Sequence, residues 1–221
     1  MHAIHTTQGF IISSRPYGEA GRILSIFTRD FGLVTATAQG IRLERSKLRY
    51  HAQELSFGSF SLVRGREFWR LTSAGAVVGR EPEGTFGGRR GRERDAAPAG
   101  ADVVPRRSLA TTATPELIAR LALLLKRFLH GEEANPKLFE CIEDCSRFIQ
   151  SQQYITDLQS RALESVTVLR MLHSLGYVGD IPDLNGDTGS HGLSESLLDS
   201  VVGRVEEMNR HINKALKESH L

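Results

Sequence analysis

Cysteine is scarce. Cys141 and Cys145 are the only two in 221 residues, too few for a disulfide framework, and a reducing compartment is the simplest setting for them. Long apolar runs are absent: none approaches the ~20 residues a spanning helix requires, so no membrane segment is expected. The start, MHAIHTTQGF, has no basic stretch leading into an apolar one, and no secretion signal is expected. Phosphate-cradling GxxxxGK[ST], dinucleotide-type GxGxxG, HExxH and GxSxG are all missing. The eight histidines are scattered. Nothing sets a nucleophile beside a base, so the reading is of a protein that is not an enzyme and needs no cofactor.

The cysteine pair is spaced i, i+4 on one helical face, but a closed zinc site needs four ligands and no second pair exists. Both are expected as small apolar core residues. Asp183-x-Asn185-x-Asp187 opens like a calcium loop. It has Thr188 where glycine is needed and Ser194 where a bidentate glutamate is needed, and it is rejected. Glu140, Glu143 and Asp144 read as a solvated helix face.

What is present is a charge asymmetry. The formal net charge is only +2. Residues 1–80 nevertheless hold 11 basic against 5 acidic residues, and residues 114–221 hold 11 against 16. A basic front half suits a nucleic-acid partner and an acidic back half does not.

Patterning divides the chain in three. Residues 4–14, 22–29, 33–40, 52–63 and 67–78 read as five antiparallel strands. Gly32 turns the hairpin after Asp30-Phe31, and Gly58 suggests a bulge or sharp bend. So many strands in about 80 residues fit a small closed β-barrel. Residues 80–113, with Gly87-Gly88-Arg89-Arg90-Gly91-Arg92 and an Ala/Pro/Gly stretch, lack apolar periodicity and read as a flexible linker or loop. From Thr114 the period becomes helical. One helix starts at Thr114-Pro115-Glu116, with Thr114 as cap, and stops near Gly131. A second runs from Asn135-Pro136 to about Gln152. A third covers about 156–175 with Leu158, Ala162, Val166, Leu169 and Leu172 inward. A last one starts at Ser194. The fold class is therefore α+β multidomain, a small N-terminal β-barrel over 1–79 followed by an α-helical bundle over 114–221.

Beyond Gly40 come Arg42, Arg45, Lys47 and Arg49 against one acid, Glu44, a loop suited to a phosphate backbone or simply to solvent. Arg22, Arg64, Arg66 and Arg70 are further cationic candidates on strands and turns. Nine of the 15 aromatics lie in residues 1–80. Most must fill the barrel, Trp69 among them, while Tyr17 and Tyr50 are candidates to face out and stack on bases.

The run Ser13-Arg15-Pro16-Tyr17-Gly18-Glu19-Ala20, Arg22-Ile23-Leu24, Phe27-Thr28, Gly32-Leu33-Val34 and the basic segment from Gly40 to Arg49 resembles the N-terminal signature of RecO, the bacterial recombination mediator family. Gly65-Arg66-Glu67 and Leu71-Thr72-Ser73-Ala74 extend the likeness, and the helix end Leu169 to Tyr177 resembles its counterpart in that family. The resemblance implies that the barrel is an OB-fold. It implies DNA repair by binding single- and double-stranded DNA and annealing complementary strands. Its implied partners are RecR, the acidic C-terminal tail of single-strand binding protein (SSB) and, indirectly, the RecA recombinase, in a cytoplasmic, nucleoid-associated setting. The tail site in that family lies on the helical domain, where Lys126, Arg127, Arg147, Arg161 and Arg170 are the available cations. Some members carry a four-cysteine zinc site after the Leu-Gly-Tyr helix end. Here that stretch reads Val178-Gly179-Asp180-Ile181-Pro182-Asp183, without cysteine. Two rival readings stay open: a sequence-indifferent RNA-binding OB module, and a helical adaptor whose barrel is only structural.

Overall fold

The computed structural model describes residues 3–76, 113–152, 154–179 and 193–218. The segment expected as a linker, 80–113, lies outside these apart from Ala113, as do most of the residues of the rejected calcium loop.

Five strands, β1 (Ile4–Tyr17), β2 (Gly21–Thr28), β3 (Gly32–Ala38), β4 (Phe57–Val63) and β5 (Trp69–Gly75), close a barrel in the order β1-β2-β3-β5-β4. All pairings are antiparallel except β3–β5, which is parallel through Ala36–Trp69 and Thr37–Arg70. The expected all-antiparallel meander is corrected at that seam. Between β3 and β4 the chain makes a short helix, α1 (Leu48–His51), where the sequence reading had only a loop. Its Leu48, with Ile41 and Ala52, joins the barrel interior of Ile11, Leu24, Ile26, Val34, Ala36, Phe60, Leu62, Trp69 and Leu71. Strand β4 consequently starts at Phe57 rather than at residue 52.

Gly58 is not a bulge. It pairs regularly with Gly9, and a Cβ on it would come within 2.9 Å of the Phe60 ring. Close approach to a core ring is what the glycine provides. The irregularities lie instead at Ile12, between Ile11 and Ser13 of β1, and at Thr72 of β5, opposite Ser61 and Leu62. The Thr72 hydroxyl donates to the Ser61 carbonyl at 2.9 Å there.

Helices follow as α2 (Ala113–Phe128), α3 (Pro136–Ser151), α4 (Asp157–Ser174), α5 (Glu195–Val201) and α6 (Val205–Glu218). The single last helix expected from Ser194 is broken by a 3-10 turn, Val202–Arg204. Local chemistry explains the starts. Asn135 accepts from the Leu138 amide with Pro136 at the first helical position. Thr156 and Gln159 form a reciprocal capping box, and Ser194 accepts from the Leu197 amide. Helix α2 begins at Ala113, one residue ahead of the expected cap.

Helix α4 is the axis of the bundle. Ala162, Leu163, Val166, Val168, Leu169, Met171 and Leu172 are all buried, which leaves no wide solvent face, as befits a helix packed on several sides. Its buried hydroxyls are satisfied: Thr167 donates to the Leu163 carbonyl at 2.7 Å and Ser165 reaches Asn209 on α6 at 3.0 Å. Leu158, expected inward, lies in the first turn of α4 and is 60% exposed. Arg120 of α2 grips Glu164 of α4 through two contacts of 2.7 Å, a bidentate pair.

Barrel and helices are welded. Strand β2 is buried on both faces, with Leu24 and Ile26 inward and Phe27 outward. The outer cluster of Phe10, Ile12 and Phe27 belongs to the same apolar core as Leu121, Leu125, Phe139 and Ile142. Phe139 sits 5.5 Å from Phe27 and 6.1 Å from Phe57, ring to ring. The segment joining α2 to α3 lies against the barrel end made by the β2–β3 hairpin. Leu33 N–H donates to the Gly131 carbonyl at 3.2 Å. Gly32 has φ +66° and meets the Glu133 backbone so closely that a Cβ would overlap it. Here glycine is required twice, by conformation and by space.

Trp69, 3% exposed, is a core residue as expected. Its indole N–H donates to Glu132 Oε1 at 2.9 Å, and the other oxygen of Glu132 pairs with Arg64 at 3.1 Å. Glu132→Ala strands a buried indole donor, so a loss of about 1–3 kcal/mol in unfolding free energy is expected. A denaturant titration followed by the emission of Trp69, the single tryptophan, measures it.

Candidate nucleic-acid interface

The chain leaves β3 at the barrel end opposite the hairpin that meets the helices. There the turn Gly40–Leu43 and α1 cover the open barrel with Ile41, Leu48 and Ala52, and this burial turns the alternate residues outward. Arg42, Arg45, Lys47 and Arg49 are all exposed. They stand on one short, anchored segment. Its anchors are Arg42 N–H to the Ala20 carbonyl at 3.0 Å and Arg42 Nη1 to the Glu19 carbonyl at 3.2 Å. Tyr50 is 66% exposed, with the Arg49 guanidinium 5.8 Å from its ring centroid.

Arg22, half-buried at the start of β2, donates from Nη1 to Ser14 Oγ at 2.7 Å. It stands beside the same barrel end. Arg70, exposed on β5, pairs with Thr37 of β3 across the parallel seam. Arg64 is elsewhere: it is bonded to Glu132 and sits 5.4 Å from the Trp69 ring centroid, at the junction with the helices. Arg66 is exposed on that same β4–β5 turn. The structure thus gathers Arg22, Arg42, Arg45, Lys47, Arg49 and Arg70 toward one end and sets Arg64 and Arg66 apart.

The helical cations do not converge on one spot. Lys126 and Arg127 are exposed in the last turn of α2. Arg161 and Arg170 are nine residues apart on α4, two and a half turns, so they face opposite sides. Arg147 bonds Glu143 at 2.8 Å and approaches Asp144 at 3.6 Å. Arg170 lies near the same Asp144, and its buried Nε has no hydrogen-bond partner.

The acidic cluster on α3 is not the solvated face expected. Glu143 is buried and held by Arg147, while Glu140 bonds Arg29 of the barrel at 2.7 Å. Burial pushes the Asp144 carboxyl above its ordinary range, against the pull of Arg147 and Arg170. The sequence signal for this role was the i, i+4 spacing of Glu143 and Arg147.

Cys145 is fully buried and Cys141 half-buried in the core. Burial pushes their thiols up to about 12 and about 11. Thiolate is the reacting form, so near pH 8 Cys141 is expected to alkylate about 100-fold more slowly in the folded chain than in urea, and Cys145 more slowly still. A timed iodoacetamide reaction read by peptide mass measures both. Among the described residues no three His, Cys, Asp or Glu side chains are placed to hold a metal ion, and no helix is long and apolar enough to cross a membrane.

Residues 1–79 match the family model described as Recombination protein O N terminal. Over these residues the barrel is similar to the RecO N-terminal domain. Similar curated proteins bear the name DNA repair protein RecO. The one from Rubrobacter xylanophilus is 42% identical over 72 residues, 33% of this chain and 29% of the relative. That from Heliobacterium modesticaldum is 35% identical over 74 residues, 34% of this chain and 27% of the relative. That from Alkaliphilus metalliredigens is 38% identical over 65 residues, 29% of this chain and 26% of the relative. The aligned stretch therefore spans little more than a quarter of these RecO proteins. The OB-fold expected for the barrel is the fold of this RecO domain.

Proposed function

We propose that this chain is a DNA repair and recombination mediator that binds rather than catalyses. The barrel holds single-stranded DNA, and duplex more weakly, through phosphate charge with little sequence preference. The observation that carries the reading is the anchored basic segment Arg42–Arg49, exposed on an OB barrel whose sequence matches RecO. Arg22 and Arg70 extend the phosphate track at the same end. Arg64 and Arg66 are a secondary contact for a longer strand.

The same reading includes annealing of complementary strands, engagement of RecR and of the acidic SSB tail, and through them loading of RecA on SSB-coated strands. An acidic peptide needs an unneutralised cation beside apolar surface. Lys126 and Arg127 have no ion pair among the described residues, and Leu123 on the same helix is 64% exposed. That favours the end of α2 over Arg147, already bonded to two acids, with Arg161 and Arg170 as further cations.

A strand-annealing assay tests the proposal. The wild-type chain is expected to speed pairing of complementary oligonucleotides, and the Arg42/Arg45/Lys47/Arg49→Ala chain is expected to lose that effect. Equal rates with and without the wild-type protein would contradict it. Tighter binding of a ribose strand than of its deoxyribose equivalent would point instead to an RNA reader.

A further inference from the structure

At the basic end of the barrel lies a cleft of about 270 Å³ whose lining includes Tyr17, Gly18, Ala20, Arg22, Ala38 and Gly40. Its two walls are the β1–β2 turn and the end of β3 with the turn that follows. They are tied across the mouth by Arg42, which bonds the carbonyls of both Glu19 and Ala20. The lining is almost wholly apolar. Gly40, at φ +68°, keeps one rim free of side chain, and Tyr17, 51% exposed, supplies an aromatic ring at the other. Two guanidinium groups stand beside it. Arg22 is held toward Ser14 and Arg42 toward Glu19, each by one donor of the five an arginine carries, which leaves the others outside those bonds.

An apolar slot with an aromatic wall and cations at its edge complements a flat π-system that carries an anion on either side. We infer that this cleft takes one unstacked base of a single DNA strand against Tyr17, while Arg22 and Arg42 hold the flanking phosphates. The inference rests on the phosphate-binding reading above and adds the base to it. Every base has a π-face, so the site is sequence-tolerant. A base in a duplex is paired and stacked and must be extruded first, so the cleft favours single strands over duplex, which charge alone does less well.

The test compares binding of a labelled 20-residue single strand, an abasic strand of equal length and the corresponding duplex, by anisotropy at several salt concentrations. Tyr17→Ala is expected to weaken binding of the normal single strand about tenfold, within the range for one stacked base, with the salt slope unchanged. Binding to the abasic strand and the duplex is expected to stay as in wild type, and Tyr17→Phe to retain full affinity. Equal losses on normal and abasic strands, or no loss on either, would overturn the cleft assignment. The phosphate reading survives that outcome provided the Arg42/Arg45/Lys47/Arg49→Ala chain still loses binding to both strands. No binding of any strand by the wild-type chain at 50 mM salt would overturn both.

Discussion

Phe139→Ala is expected to lower the unfolding free energy by about 3–5 kcal/mol, the usual loss for a buried phenylalanine whose surroundings cannot collapse. The ring is fully buried and touches Phe27 and Phe57 of the barrel as well as the helical core, so the cavity opens between the barrel and the helical body. The variant also tests whether these bodies unfold together. Trp69 reports on the barrel and far-ultraviolet ellipticity on the helices, which gives two independent views of one titration. A shared core predicts coincident transitions in wild type and an equal shift of both in the variant. If the tryptophan transition stays in place while ellipticity shifts, the barrel is independent of α3. Gly32→Val gives a second approach to the same joint, because its Cβ meets the Glu133 backbone and its φ is unsuited to a β-branched residue.

Neutralising Arg42, Arg45, Lys47 and Arg49 together is expected to weaken single-strand binding by about 100-fold at 50 mM salt. Each phosphate contact on a single strand contributes about −0.7 to the slope of log affinity against log salt, and four contacts give nearly −3. All four side chains are exposed, and among the described residues the contacts in the set that disappear are Arg42 to the Glu19 carbonyl and Arg49 over the Tyr50 ring. The variant is therefore expected to melt within about 1 kcal/mol of wild type. Lost binding in a folded protein assigns the effect to the interface, whereas a protein that also unfolds does not.

The barrel was legible because its signals are local. Period-two apolar runs, the Asp30-Phe31-Gly32 turn and the cationic exit from β3 all lie within a few residues of the features they specify. Helix starts at Asn135, Thr156 and Ser194 were readable for the same reason. What escaped the sequence depends on contacts between distant segments. The parallel β3–β5 seam joins residues more than 30 apart. The burial of Glu143 follows from α3 packing on α4 as well as from its own spacing to Arg147. Helix α1 is only one turn, too short for a period to show. The displacement of Arg64 from the interface is set by Glu132, a residue from the other half of the chain. The cleft beside Tyr17 exists only because Arg42 ties two turns that the sequence separates by about 20 positions.

The proposed activity is a grip on single strands through the phosphates at the Arg42–Arg49 end of the barrel. The most direct measurement is the affinity of the intact wild-type chain for a labelled single strand between 50 and 200 mM salt, repeated on the fourfold alanine chain. The four side chains are expected to contribute an approximately 50-fold fall over that range, so the variant's line is shallower than the wild-type line by that amount and keeps only the slope of the remaining cations. An equally steep line in both would place the phosphate contacts elsewhere on the chain, and no binding by wild type at 50 mM would contradict the claim outright.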